Sequence, residues 1–327
     1  MTPNARNCSP RGSSNSSRRQ RRLASAANNY SASSEGPIDE SGHQRSEQEP
    51  SWTSLLNGVN LELRSGAIHG LFGRNGAGKS TLLNIIANRL VADAGSVSFD
   101  GNRMTDGGGM WERLMLMDET WPYPVEWRLR SVFRLISRRY GGFDDVLAGR
   151  MMQAFGLRPD ARFMRLSTGQ RGAAKLVAAL CAPTDIVLLD EATDGLDAAA
   201  RDLCYRFVIE SYGDRPRTMI ISTHLITEVE GLVEHAVVLD HGRVLESFDM
   251  NELAQRGRML SGPVGSVRRY LADNGLRTLS ETVLGGLLTV GVRGVPSAPM
   301  PEDVVMRSFD LNEYVIQITG MDKGYAS

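Results

Sequence analysis

Gly73-Arg74-Asn75-Gly76-Ala77-Gly78-Lys79-Ser80 fits the pattern G-x-x-x-x-G-K-[ST]. The apolar run Ile68–Phe72 before it predicts a strand, and Ser80–Leu90 after it predicts a helix. A glycine-rich turn between a strand and a helix is the context that gives this pattern chemical meaning. Glycines let the backbone curl until successive N–H groups point into one concavity, and the helix N-terminus behind them adds partial positive charge. Phosphate oxygens fit such a cradle. Lys79 would reach the β- and γ-phosphates of a nucleotide as a point charge, Ser80 would offer its hydroxyl to Mg²⁺, and Thr81 follows in the same turn.

A second signal lies downstream. Ile186-Val187-Leu188-Leu189 is followed by Asp190 and Glu191. A buried parallel strand delivers its last residues to the carboxyl edge of the sheet, where open α/β sheets bind ligands. There Asp190 suits Mg²⁺, usually through water. Glu191 suits the attacking water, as a group that orients or deprotonates it. A strand ending in two acids is by itself as readily a solvated edge; the phosphate loop upstream decides the reading.

Outward from these motifs, strands and helices alternate, which implies an α/β core. Val59, Leu61 and Leu63 alternate with polar residues like a half-buried strand. Two helices are expected over Glu126–Tyr140 and Asp144–Phe155, with apolar positions Trp127, Phe133 and Ile136 in the first and Val146, Leu147, Met151 and Phe155 in the second. Gly141 and Gly142 break between them. Arg171–Cys181 and Arg201–Tyr212 read as further helices, Thr218–Ser222 as a buried strand, and Val237–Leu245 as a hairpin around His241-Gly242. Residues 256–327 carry weaker signals, expected to form a small α+β extension.

Residues 1–50 contain only Leu23 and Ile38 among Leu, Ile, Val and Phe. They are expected to be a disordered Arg/Ser-rich tail, because so little apolar area does not offset the entropy of ordering. The six arginines of residues 1–34 also suit a segment resting on acidic headgroups, and the composition is compatible with an organellar transit peptide. With no acid in that stretch, the net charge of −1 leaves −7 on residues 35–327, which argues against a broadly basic nucleic-acid surface. The longest charge-free apolar stretch, Thr282–Val292, is too short to cross a bilayer, which takes roughly 20 residues. Cys8, Cys181 and Cys204 are far apart and odd in number, so neither a disulfide framework nor a zinc site is indicated.

Further motifs complete an ordered set. Leu166-Ser167-Thr168-Gly169-Gln170 has its serine 23 residues before Asp190; Glu191-Ala192-Thr193-Asp194-Gly195-Leu196-Asp197 continues from the acids; Ser222-Thr223-His224 ends the next strand. With the phosphate loop, this order resembles the ATPase subunit of ATP-binding-cassette (ABC) transporters over roughly residues 52–245. The resemblance implies a P-loop NTPase core over residues 51–255, with a helical subdomain at about 115–165. It also implies ATP and Mg²⁺ as ligands. Ser167, Gly169 and Gln170 would form a signature that faces the γ-phosphate of ATP held by a second cassette, identical or paralogous. Asp197 would link the two sites. His224, which alone would read as a structural histidine, would contact the γ-phosphate and hold Glu191 in line.

The same resemblance places the chain at the cytoplasmic face of the membrane, peripheral, beneath a separate permease received in a groove near Trp121, Pro122, Tyr123 and Pro124. A match of Arg139–Asp144 and of the C-terminal extension points to a bacterial exporter subgroup. The alternative is a soluble cassette ATPase of the assembly-factor type. Two positions depart from the family pattern. Trp52 stands 27 residues before Lys79, a stand-in for the adenine-stacking aromatic or merely a core or surface residue. Asp118, in Met115-Leu116-Met117-Asp118, stands where a glutamine is usual and is expected as a further Mg²⁺ ligand.

Overall fold

The structure is a computed structural model that describes residues 22–24, 55–104 and 110–320, by backbone alone at 22–24, 110 and 111. Its elements run β1 (Arg22–Ala24), β2 (Glu62–Arg64), β3 (Ile68–Phe72), α1 (Lys79–Ile86), β4 (Ser98–Phe99), β5 (Asn102–Arg103) and β6 (Leu114–Met117). Then come α2 (Leu129–Tyr140), α3 (Asp145–Ala154), α4 (Thr168–Cys181), β7 (Ile186–Asp190), α5 (Ala198–Asp214), β8 (Thr218–Ser222), α6 (Ile226–Val229), β9 (His235–Asp240) and β10 (Arg243–Asp249). The chain closes with α7 (Leu253–Arg256), β11 (Gly257–Pro263), α8 (Val264–Asp273), β12 (Thr278–Leu284), β13 (Leu287–Arg293), β14 (Val305–Ser308) and α9 (Leu311–Thr319).

The central sheet has the order β10-β9-β3-β8-β7-β6. Its strands are parallel from β9 to β6, and β10 returns antiparallel on β9. Every residue of β3, β6, β7 and β8 is buried, because both faces of the sheet are covered. Along β7 the side chains divide by parity. Val187 and Leu189 join the apolar layer that contains α2 to α5, whereas Ile186 and Leu188 join the layer that contains α1 and β2. The hairpin β9–β10 turns through His241 and Gly242, both at positive φ (45° and 72°), as a two-residue turn matched to strand twist requires.

A second sheet, order β2-β1-β4-β5, is antiparallel. Here the expectation of a disordered stretch over residues 1–50 is corrected at one point. Arg22–Ala24 is a strand, with Leu23 opposite Leu63 and Phe99. Pairing between two strand edges satisfies backbone groups, and it needs far less apolar sequence than a core does. The rest of residues 1–50 lies outside the described residues, as does Trp52.

The expected start of the helical subdomain also shifts. Met115, Leu116 and Met117 belong to β6, paired in parallel with β7, so the helices of this layer begin beyond Asp118. The helix after the phosphate loop ends at Ile86 rather than Leu90, since Asn88 adopts φ 53°. Trp127 and Val146, two of the apolar positions of the expected helices, are exposed: Trp127 precedes α2 and Val146 points outward from α3. The C-terminal residues form an antiparallel sheet, β12-β13-β11-β14, with α8 packed on it.

Candidate nucleotide-binding and hydrolysis site

The cradle is set by close backbone approach. Gly73 has φ 154°, and a Cβ there would lie 2.1 Å from the Leu239 carbonyl oxygen. Gly78, at φ 101°, would bring one within 2.7 Å of Leu56. Only glycine fits at either position. Lys79 is buried, and its Nζ donates to the carbonyls of Gly73 (2.9 Å) and Arg74 (3.3 Å), so the ammonium holds the loop in a ring around itself. Burial depresses its pKa, and the nearby Glu191, Asp190 and Asp194 oppose that shift. Gly78 provides no side-chain cap to α1, which leaves the first N–H groups of the helix for an anion. Arg74, Asn75, Gly76 and Ser80 are exposed around the mouth, Ala77 is buried beneath it, and Thr81 is half-buried.

The acids stand at the carboxyl end of β7. Asp190 is buried, and its Oδ1 has no hydrogen-bond partner among the described residues. A buried carboxylate oxygen left open in this way is the donor a hard cation takes. Glu191 adopts φ 47°, a left-handed conformation uncommon outside glycine, while its N–H donates to the Ser222 carbonyl at 2.9 Å. That twist turns its side chain toward two partners. One carboxylate oxygen lies 3.9 Å from Lys79 Nζ, and the other is 2.9 Å from His224 Nδ1. Asp194, which the motif reading passed over, brings a carboxylate oxygen to 3.9 Å from the same His224 nitrogen. Its only sequence signal is its place three residues beyond Glu191.

The signature lies at the N-terminus of α4. Ser167 caps α4: its Oγ accepts from the Gln170 N–H, and Gln170 Oε1 accepts from the Ser167 N–H, both at 3.3 Å. Gly169 packs against Leu196, where a Cβ would meet that side chain at 3.3 Å. Asp197 caps α5 through the Ala200 N–H at 2.8 Å. Ser167 and Asp197 are both exposed, and among the described residues no hydrogen bond joins Ser167, Gly169 or Gln170 to the phosphate loop.

Asp118, expected as a further Mg²⁺ ligand, meets protein groups of its own chain. Its Oδ2 takes a 2.6 Å ion pair from Arg89, and its Oδ1 accepts from the Thr120 N–H (3.0 Å) and hydroxyl (2.6 Å). Three contacts from within the chain thus engage this carboxylate, two on Oδ1 and one on Oδ2. Asp118 follows β6, between Met117 and Thr120, which line a cavity of about 640 Å³ together with Trp121, Tyr123, Leu135, Tyr140 and Lys175. Trp121 stacks on Phe163 (centroids 4.1 Å apart), and Tyr123 meets it edge-on. Pro122 also lines the cavity; Pro124 does not.

A parallel sheet with a glycine cradle after β3, two acids at the end of β7 and a histidine after β8, the strand between them, defines an α/β nucleotide-binding cassette. Residues 56–194 match the family described as ABC transporter. It is 27% identical to the ABC transporter ATP-binding protein YtrB of Bacillus subtilis (strain 168), over 62% of this chain and 69% of that protein. It is also 27% identical to the daunorubicin resistance ATP-binding protein DrrA3 of Streptomyces coeruleorubidus, over 82% and 92%. It spans only 45% of the arabinose import ATP-binding protein AraG 1 of Burkholderia cenocepacia, again at 27% identity over 67% of this chain. A solved structure titled as the ATP-binding subunit of an ABC transporter shares the fold: TM-score 0.56 and 24% identity, covering 62% of this chain and 87% of the other.

Proposed function

We propose that this chain is the ATP-hydrolysing subunit of an ABC transporter, working as a dimer that drives a separate membrane permease in the direction of export. The observation that carries the reading is Glu191, held between Lys79 of the cradle and His224. Lys79 and the open N–H groups of α1 bind the triphosphate. Glu191 orients the attacking water and accepts its proton. His224 donates through Nδ1 to the carboxylate, which only accepts, and so fixes its direction. Asp190 and Ser80 would hold Mg²⁺, which supplies charge neutralisation at the β- and γ-phosphates. The exposed Ser167 and the N–H of the half-buried Gly169, with no hydrogen bond to the phosphate loop of their own copy among the described residues, would meet the γ-phosphate held by a second copy, with Asp197 beside that junction. ATP then bridges the two copies, and its hydrolysis loosens them.

The aromatic-lined cavity between β6 and α2 supports a membrane partner. It is open and apolar and joins the loop after Asp118 to the helical layer. Among the described residues no helix is long and apolar enough to cross a membrane, in keeping with a peripheral subunit at the cytoplasmic face. Export follows the exporter-type resemblance and the resistance-named relative, although matched relatives also include import proteins. The test is Glu191→Gln, which should trap an ATP-bound dimer on size-exclusion chromatography. A chain that stays monomeric with saturating ATP and Mg²⁺ would contradict dimerisation of identical copies.

A further inference from the structure

Helix α2 buries Leu129, Val132, Phe133 and Ile136 and contains four arginines and no acid. Arg130, Arg134 and Arg138 recur at a spacing of four, so they form one exposed stripe about 12 Å long opposite the buried side. Arg130 shares Asp160 with Arg128, whereas Arg134 and Arg138 meet no acid within ion-pair range among the described residues. Helix stability does not account for the stripe. Cations favour the last turn of a helix, which suits Arg138, but Arg130 stands in the first turn, where the dipole opposes it. The charge is also local. Residues 126–171 hold ten arginines against four acids, within a region, 35–327, whose net charge is −7. Trp127 (42% exposed) and Leu135 (40%) break the arginine surface with apolar groups.

We propose that this face of the helical layer rests on anionic phospholipid headgroups. Guanidinium forks match phosphate oxygens bidentately, and an exposed tryptophan suits the boundary between headgroup and acyl chain. The stripe borders the cavity assigned above to the permease, since Leu135 and Arg139 line that cavity from α2. A partner seated there would leave the arginines facing the surface of its own membrane. The lipid contact itself needs neither permease nor ATP.

The experiment is vesicle flotation of the full chain, without permease, on phosphatidylglycerol–phosphatidylcholine and on pure phosphatidylcholine vesicles. Each arginine near an anionic surface raises partitioning roughly fivefold. Charge reversal in R134E/R138E should therefore weaken binding to the anionic vesicles by about 25-fold or more. ATP hydrolysis in solution should remain at the native level, which shows that the variant is folded. Equal flotation of the native chain on both vesicle types, or on neither, overturns the proposal. Undiminished flotation of the folded variant also overturns it and favours an acidic protein segment as the occupant. Loss of flotation on deleting residues 1–50, with no effect of R134E/R138E, assigns lipid binding to the tail and equally overturns it. None of these outcomes alters the hydrolysis reading, which the same solution assay reads separately.

Discussion

His224 Nδ1 lies 2.9 Å from Glu191 Oε2, and the His224 backbone N–H reaches the same oxygen at 3.3 Å. Two donors from one residue therefore fix one carboxylate oxygen and leave the other toward Lys79. Glu191→Gln keeps the shape and loses the base, so it should lower the rate of hydrolysis by about 10²–10⁴ while ATP affinity is kept. His224→Ala removes the shorter of the two contacts and leaves only the 3.3 Å backbone one, so the carboxylate is held less firmly and the rate should fall in the same direction. Single-turnover hydrolysis beside equilibrium nucleotide binding separates chemistry from affinity.

Lys79 acts twice, on ligand and on loop. Lys79→Ala removes the charge that meets the phosphates and also the two hydrogen bonds that close the loop onto Gly73 and Arg74. ATP binding should fall below detection in calorimetry. Unchanged affinity would show that the cradle holds something other than a triphosphate.

What the sequence made legible was local. The phosphate loop and the β7 acids depend on neighbours within a few residues, and Ile68–Phe72 and Thr218–Ser222 appear as strands with the expected ends. What it hid was tertiary. Asp118 reads as a metal ligand by position, but Arg89, 29 residues upstream, reaches it across the end of β6. Asp194 gains meaning only because the left-handed turn at Glu191 brings the loop under His224. Trp127 and Val146 have core-like chemistry and helical spacing, yet both are exposed among the described residues.

Arg89 follows α1, whose first turn opens on the phosphate site, and Asp118 leads into the cavity. Their 2.6 Å ion pair thus ties the two regions together. Asp118→Ala should leave ATP affinity nearly native and uncouple hydrolysis from transport in a reconstituted system. A double-mutant cycle of Asp118→Asn with Arg89→Met should show a coupling energy, whereas additive effects would mean the pair transmits nothing. A larger loss of ATP affinity than of coupling would return Asp118 to the nucleotide site.

Burial lowers the pKa of His69 to about 4, with Arg64, Glu234 and the stacked ring of His235 (centroids 5.2 Å apart) as further influences. Its Nε2 donates to the Arg64 carbonyl at 2.8 Å, and Nδ1 is buried without a partner among the described residues. The folded chain therefore refuses a proton that the unfolded chain accepts near its ordinary value of 6.5. Stability should be full above that value and decline as pH falls toward 4, by up to about 3 kcal/mol from this residue. His69→Gln, which can still donate to Arg64, should flatten that part of the profile. Denaturant titrations of both proteins across this range provide the check, and parallel profiles would remove His69 as the cause.

Glu246 on β10 joins the core to the C-terminal unit. Its nearly buried carboxylate accepts from Arg256 (2.8 Å), Arg293 (2.6 Å) and the Tyr314 hydroxyl (2.8 Å). These partners lie on α7, β13 and α9, so one side chain gathers three elements. Glu246→Ala leaves the Tyr314 hydroxyl, its pKa pushed up to about 12 by burial, without its acceptor, and it removes one of the two acids that meet Arg256, which keeps Glu252 at 2.9 Å, while the half-exposed Arg293 turns to water. Removing one partner from such a network costs more than the bonds themselves, roughly 1–3 kcal/mol for each group left unsatisfied. Amide exchange should accelerate in α9 and β13 while the amides of β3 and β8, on the far side of β9, keep native protection. Tyr314→Phe removes only the neutral contact and should produce a smaller effect in the same segments. Uniform acceleration through the central sheet would instead mean that the two units unfold as one.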